Sequence, residues 1–111
     1  MKIETQNYNQ VTVIKLFGEF ASDSAKAFQD HATSLIAAGS RCLVVDLSEV
    51  GFIDSACLEQ LMWFRDYCQE NRCQMKLASL DENCTKILEI TRLLPQFDTY
   101  AELPQAVKSF V

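Results

Sequence analysis

The sequence predicts a single α/β domain: a mixed sheet of four to five strands with about four helices, in the order β-β-α-β-α-β-α-(β)-α. Three observations carry that prediction. Apolar residues alternate across the segment ending at Gly18, then recur every three or four residues from Ser22, and the two periods keep exchanging along the chain. The run "RCLVVDL" is continuously apolar, as expected of a strand covered on both faces. The length of 111 residues fits one compact domain, so residues 1–111 are read as a single unit. Helices alternating with strands after an initial hairpin imply parallel neighbours joined by right-handed crossovers.

Each element has its own signal. "IETQNYN" reads as an exposed first strand, with a turn at Asn7-Tyr8-Asn9-Gln10. In the second strand Val11, Val13 and Phe17 point one way and Ile14 and Leu16 the other, so both faces are expected to be partly covered. From Ser22, a stripe of Ala25, Phe28, Ala32, Leu35 and Ile36 predicts a helix, capped by Ser22 or Ser24 and ended by Gly39. His31 is read as a boundary packing residue beside that stripe. After "RCLVVDL", "VGFI" is expected to stay extended up to Asp54-Ser55. Cys57, Leu58, Leu61, Phe64 and Cys68, with Met62 at the edge, then make a second amphipathic helix that closes at Glu70-Asn71. "CQMKLASL" is a strand with Met75, Leu77 and Ser79 on one face. A third helix over 82–92 is capped by Asp81 and buried through Cys84, Ile87, Leu88 and Thr91, and Pro95 forbids its continuation. "QFDTY" is short and extended, and "LPQAVKSFV" opens a last helix with Pro at a permitted first-turn position.

Composition narrows the function. Hydrophobic residues make up 49% and charged residues 23%, ordinary for a globular protein. Net charge is −5 and the ten basic residues are scattered, whereas a nucleic-acid binder needs a dense basic face; direct nucleic-acid binding is not expected. No apolar run reaches the roughly 18 residues that span a bilayer. "MKIETQNYNQ" lacks the apolar core of a secretory signal, so a cytoplasmic location without membrane insertion is expected. Five cysteines without an export signal read as reduced thiols, most of them small core residues. With no C-x-x-C spacing and one histidine, no metal site is expected, and no cofactor motif is visible.

Ser55 is the residue with a chemical question attached. It stands three residues before Leu58, at the N-cap or in the first turn of the second helix. As a cap, its hydroxyl would contribute about 1 kcal/mol and nothing more. The same position suits a phosphate, because a helix start offers unpaired N–H donors and partial positive charge. A phosphate would add roughly −1.5 to −2 charges beside Asp54, repelling a partner surface built for a neutral hydroxyl.

"VVDLSEVGFIDSACLEQL" resembles the signature of STAS domains, the sulfate transporter and anti-sigma factor antagonist family: Asp46, Leu47, Ser48, Val50, Phe52, Ile53, Asp54, Ser55, Ala56 and Leu58 fit its pattern. "GEF" at 18–20 and the segment 77–107 resemble further parts of the family. The resemblance implies an anti-sigma factor antagonist: a non-enzymatic module that, unphosphorylated, binds an anti-sigma factor that is also a serine kinase. It implies that Ser55 is the phosphorylated serine, that a cognate phosphatase restores it, and that the docking face holds Glu19, Ala21, Asp54, Ser55, Ala56, Cys57 and Glu59. Three residues depart from the pattern. Cys57 replaces a glycine and is expected to crowd the kinase, Ala21 replaces an aspartate, and Arg92 replaces a helix-terminating glycine.

Other classes compete. A STAS scaffold that is never phosphorylated, in a signalling or transport complex, is the alternative that the Cys57 and Ala21 departures favour; a small-molecule-sensing variant is a further one, although no Gly-rich phosphate loop is visible. An enzyme would need a nucleophile with its base or paired acids in one cleft, and only Glu19, Asp46 and Asp54 are candidates for a cluster. Redox sensing through Cys57, near a helix N-terminus, is the remaining option. Oligomeric state is not legible in the sequence.

Overall fold

In the computed structural model, residues 2–18 and 24–110 are described, and they build a five-stranded sheet with strands in sequence order. β1 (Lys2–Tyr8) and β2 (Val11–Phe17) form an antiparallel hairpin, tightened by Asn9 in the left-handed region (φ 59°). β3 (Cys42–Glu49), β4 (Gln74–Ala78) and β5 (Thr99–Tyr100) then add in parallel. The sheet is therefore mixed, and β3 is central, as its unbroken apolar run requires. Between the strands lie α1 (Ala25–Ala37), α2 (Ser55–Glu70) and α3 (Glu82–Ile90), with α4 (Leu103–Lys108) last.

Alternation along each strand divides the core. Ile14, Leu16, Leu43, Val45, Leu47, Met75 and Leu77 face α1, α2 and α3 in the main cluster. There Phe28 of α1 meets Phe64 of α2 edge-on, ring centroids 5.5 Å apart. Val11, Val13, Val44 and Ala78 face the other way, where α4 covers them through Ala106. Both faces of β2 and β3 are thus covered, as their residues imply.

α1, α2 and α3 end by one device. Gly39 (φ 109°) lets Ser40 N–H reach Leu35 O (3.0 Å) and its own N–H reach Ile36 O (3.1 Å), the doubled bonding of a Schellman terminator. α2 and α3 end the same way, with Cys73 N–H on Cys68 O (2.7 Å) and Leu93 N–H on Leu88 O (2.9 Å). There the left-handed residues are Arg72 (φ 58°) and Arg92 (φ 61°), where glycine would be unstrained.

Several expectations are corrected. Ser24 occupies the N-cap of α1 without a side-chain cap bond, and Ser22 lies outside the described residues. His31 is exposed on α1 rather than packed at its boundary. Thr91 is exposed rather than buried; α3 stops at Ile90 and Thr91 is its C-cap, the hydroxyl donating to Ile87 O (2.8 Å). Residues 50–54 are irregular rather than a strand, turned by Val50 N–H on Leu47 O (3.0 Å).

Candidate functional site

Because β2 to β5 run parallel, their carboxyl ends share one rim of the sheet, and the starts of α2, α3 and α4 lie on that rim with the loop 50–54. The loop is pinned from both ends. Val50 and Ile53 are each 2% exposed in the main core. Cys84, in the first turn of α3, donates its thiol hydrogen to Val50 O (3.6 Å), holding α3 beside the loop. Asp46, 3% exposed within β3, accepts from Ser48 N–H through Oδ1 (3.0 Å), an Asx turn at the point where the register with β2 shifts, before β3 ends at Glu49.

The helix start answers the question Ser55 raises. The N-cap of α2 is Asp54, with extended backbone (φ −95°, ψ −177°) and its Oδ1 accepting from Cys57 N–H at 2.8 Å. Ser55 is the first helical residue, its side chain exposed. The capping role open to Ser55 is therefore filled by its neighbour. Leu58 N–H on Asp54 O (3.0 Å) begins the helical ladder, so the N–H groups of Ser55 and Ala56 precede any intrahelical acceptor. A group attached at Ser55 Oγ would stand at the positive end of a sixteen-residue helix.

The other predicted site residues separate by depth. Glu59 is exposed and Ala56 half-buried on the same first turns of α2. Cys57 is fully buried in the core, so it offers a partner no surface and does not crowd one. Burial, with the charge of Asp54 and the neighbouring Cys84 thiol, pushes its pKa up to about 12, the opposite of an activated thiol. Glu19 and Ala21 lie outside the described residues. Asp46 and Asp54 each accept a backbone amide rather than pairing with each other. Among the described residues no three His, Cys, Asp or Glu side chains come together in a metal-binding group.

Asp81 caps α3 as Asp54 caps α2, accepting from Cys84 N–H at 2.7 Å. The starts of α2 and α3, both on this rim, are thus each capped by an aspartate. Asp81 was legible as a cap from its place before "ENCTKIL"; that the first turn of α3 meets the loop 50–54 was not, since it depends on β3 and β4 pairing in parallel.

The sequence profile of the STAS domain family matches residues 2–106, and the chain belongs to that family. Among solved structures, a Thermotoga maritima protein described as a candidate anti-sigma factor antagonist superposes with a TM-score of 0.88 at 18% identity, covering 96% of this chain and 92% of that one. The anti-sigma factor antagonist SpoIIAA, a Bacillus cell fate determinant, is similar in its unphosphorylated form (TM-score 0.83, 15% identity, 98% and 96% covered). Its phosphorylated form is similar too (0.77, 15%, 99% and 100%). A sulfate transporter family protein from Wolinella succinogenes shares the fold at 13% identity (0.75, 92% and 85%). At these identities the likeness is one of fold. No curated protein matches the sequence. Among the described residues, no helix is long and apolar enough to cross a membrane.

Proposed function

We propose that this domain is an anti-sigma factor antagonist: a cytoplasmic, non-enzymatic module that binds an anti-sigma factor with serine kinase activity and is released when that kinase phosphorylates Ser55. A cognate phosphatase resets it. The docking face comprises Glu19, Ala21, Asp54, Ser55, Ala56 and Glu59, with Cys57 supporting it from below. One observation carries the reading: Ser55 presents its hydroxyl at the first position of α2 while Asp54 does the capping.

The chemistry follows from that placement. The module supplies the hydroxyl and the kinase supplies ATP and catalysis. Transfer takes the net charge from −5 to about −7 and puts the new charge beside Asp54. The unbonded first-turn amides soften the cost to the fold, whereas a partner holding nucleotide phosphates opposite the hydroxyl meets repulsion and loses the interface. That SpoIIAA occurs in both phosphorylated and unphosphorylated forms supports an architecture tolerant of the modification.

The test is incubation with ATP and the kinase from the source cell, followed by mass spectrometry. Phosphate is expected on Ser55, binding is expected to survive Ser55→Ala, and Ser55→Asp is expected to abolish it. The Wolinella likeness and the Ala21 departure favour a second reading, a STAS scaffold or ligand-sensing module that is never phosphorylated. It prevails if Ser55→Asp leaves partner binding unchanged.

A further inference from the structure

Three large hydrophobic side chains stand exposed among the described residues: Tyr8 (42%), Phe52 (56%) and Ile90 (71%). Tyr8 adjoins the hairpin turn and Ile90 ends α3, both at the amino ends of the parallel strands. Phe52 alone of the three lies on the opposite rim, three residues before Ser55. A single exposed aromatic is ordinary by itself. Here the neighbours make it otherwise. Val50 and Ile53 already fasten the loop into the core at 2% exposure each, so the Phe52 ring is not needed to hold it.

Gly51 adds an independent observation. Gly18 (φ 87°) and Gly39 (φ 109°) occupy left-handed backbone that side chains disfavour. Gly51 does not, and a Cβ built on it meets no atom within 4 Å. Neither the backbone nor the packing of the free domain calls for glycine there. A bare backbone beside a projecting aromatic ring leaves room for another surface to close over both.

We propose that Phe52 is the apolar anchor of the docking face and Gly51 the clearance beside it. The occupant is the anti-sigma factor kinase of the preceding section, on which this inference rests. It receives the ring in an apolar pocket and carries arginine or lysine toward the α3 side. Charge complementarity selects that partner surface. Glu49, Asp81 and Glu82 are exposed on or next to this rim, and the basic residue of α3 nearest to them in sequence is Lys86. With the ring seated, the hydroxyl of Ser55, three residues further along the chain, is delivered to the nucleotide. The anchor fixes the distance, and the acidic flank fixes the orientation.

The experiment uses the kinase that transfers phosphate to Ser55, purified, with binding measured by fluorescence anisotropy for wild type, Phe52→Ala, Gly51→Ala, Phe52→Leu and Ser55→Asp. Phe52→Ala is expected to weaken binding by about thirtyfold and Gly51→Ala by about tenfold, with Phe52→Leu between wild type and Phe52→Ala. Thermal midpoints of these variants are expected to match wild type, which separates a lost anchor from a lost fold. Added salt weakens wild type and Phe52→Ala by the same factor, since the ring and the acidic flank act independently. If Phe52→Ala and Gly51→Ala bind within about twofold of wild type while Ser55→Asp does not bind, the anchor is wrong and the Ser55 reading stands. If no kinase phosphorylates Ser55 or binds the wild-type domain, the Ser55 reading fails and the anchor falls with it.

Discussion

Asp54 and Ser55 are adjacent residues of nearly equal capping ability, and a helix has room for one N-cap. The structure gives the position to Asp54, whose carboxylate takes the Cys57 amide. Asp54→Ala is accordingly expected to cost about 1 kcal/mol in urea denaturation, while Ser55→Ala stays within about 0.5 kcal/mol of wild type. The opposite ranking would return Ser55 to a structural role. The buried thiols give a second residue-scale expectation. Burial pushes Cys57, Cys68 and Cys84 up to about 12 from the ordinary 9. Their folded pKa values are raised, so above pH 9 the unfolded chain binds fewer protons than the native one. The stability these thiols contribute is present below about pH 9 and lost as pH climbs toward 12. Denaturation series between pH 8 and 11 should show that fall, with a shallower slope in Cys57→Ala. The same burial predicts that half-buried Cys42 is alkylated before Cys57 under native conditions.

At the scale of elements, the helices were legible because their stripes are clean: Phe28, Ala32 and Ile36, then Cys57, Leu61, Phe64 and Cys68, are the buried residues of α1 and α2. Their terminators were only half legible. Gly39 announces itself, but Arg72 and Arg92 do not, because arginine carries no local sign that its backbone is left-handed. The missing glycine at position 92 identified the place, and the geometry supplies the reason it matters. Arg72→Gly and Arg92→Gly are each expected to stabilise the domain by about 1 kcal/mol by relieving that strain. A thermal midpoint that falls instead would show that the arginine side chains hold the helix ends. The cap of α2 was ambiguous for a different reason: periodicity fixes where a helix starts only to within a residue or two, and two capping residues fell inside that margin.

At the scale of the whole molecule, the strand order is the part that single-residue patterns do not encode, since it depends on which edges pair. The central place of β3 was readable from its two-sided apolarity, and the rim that gathers three helix starts follows from parallel pairing. The second face of the sheet was less legible. Lys76, a charged residue in β4 on the face opposite Met75 and Leu77, is only 9% exposed. Its ammonium donates to Ser109 Oγ (2.7 Å) and Tyr100 Oη (3.4 Å) and lies 4.3 Å from the centre of the Phe110 ring. These contacts fasten the six-residue α4, which is too short to persist alone. Lys76→Ala is expected to cost about 2 kcal/mol and to speed amide exchange through α4, while Leu43–Leu47 stay protected. Uniform acceleration across the sheet would contradict a tether local to α4.

The pinned loop has a consequence for how quickly such a rim can signal. Val50 and Ile53 are sunk in the core on one side of Ser55 and Cys57 on the other, so the segment carrying the hydroxyl has no slack to rearrange. A covalent mark there changes what the outside world meets without asking the scaffold to travel. Under the proposed switch the message would be displayed like ink on a fixed plate, its turnover set by the enzymes that write and erase it, with no hinge, lag or refolding step in between.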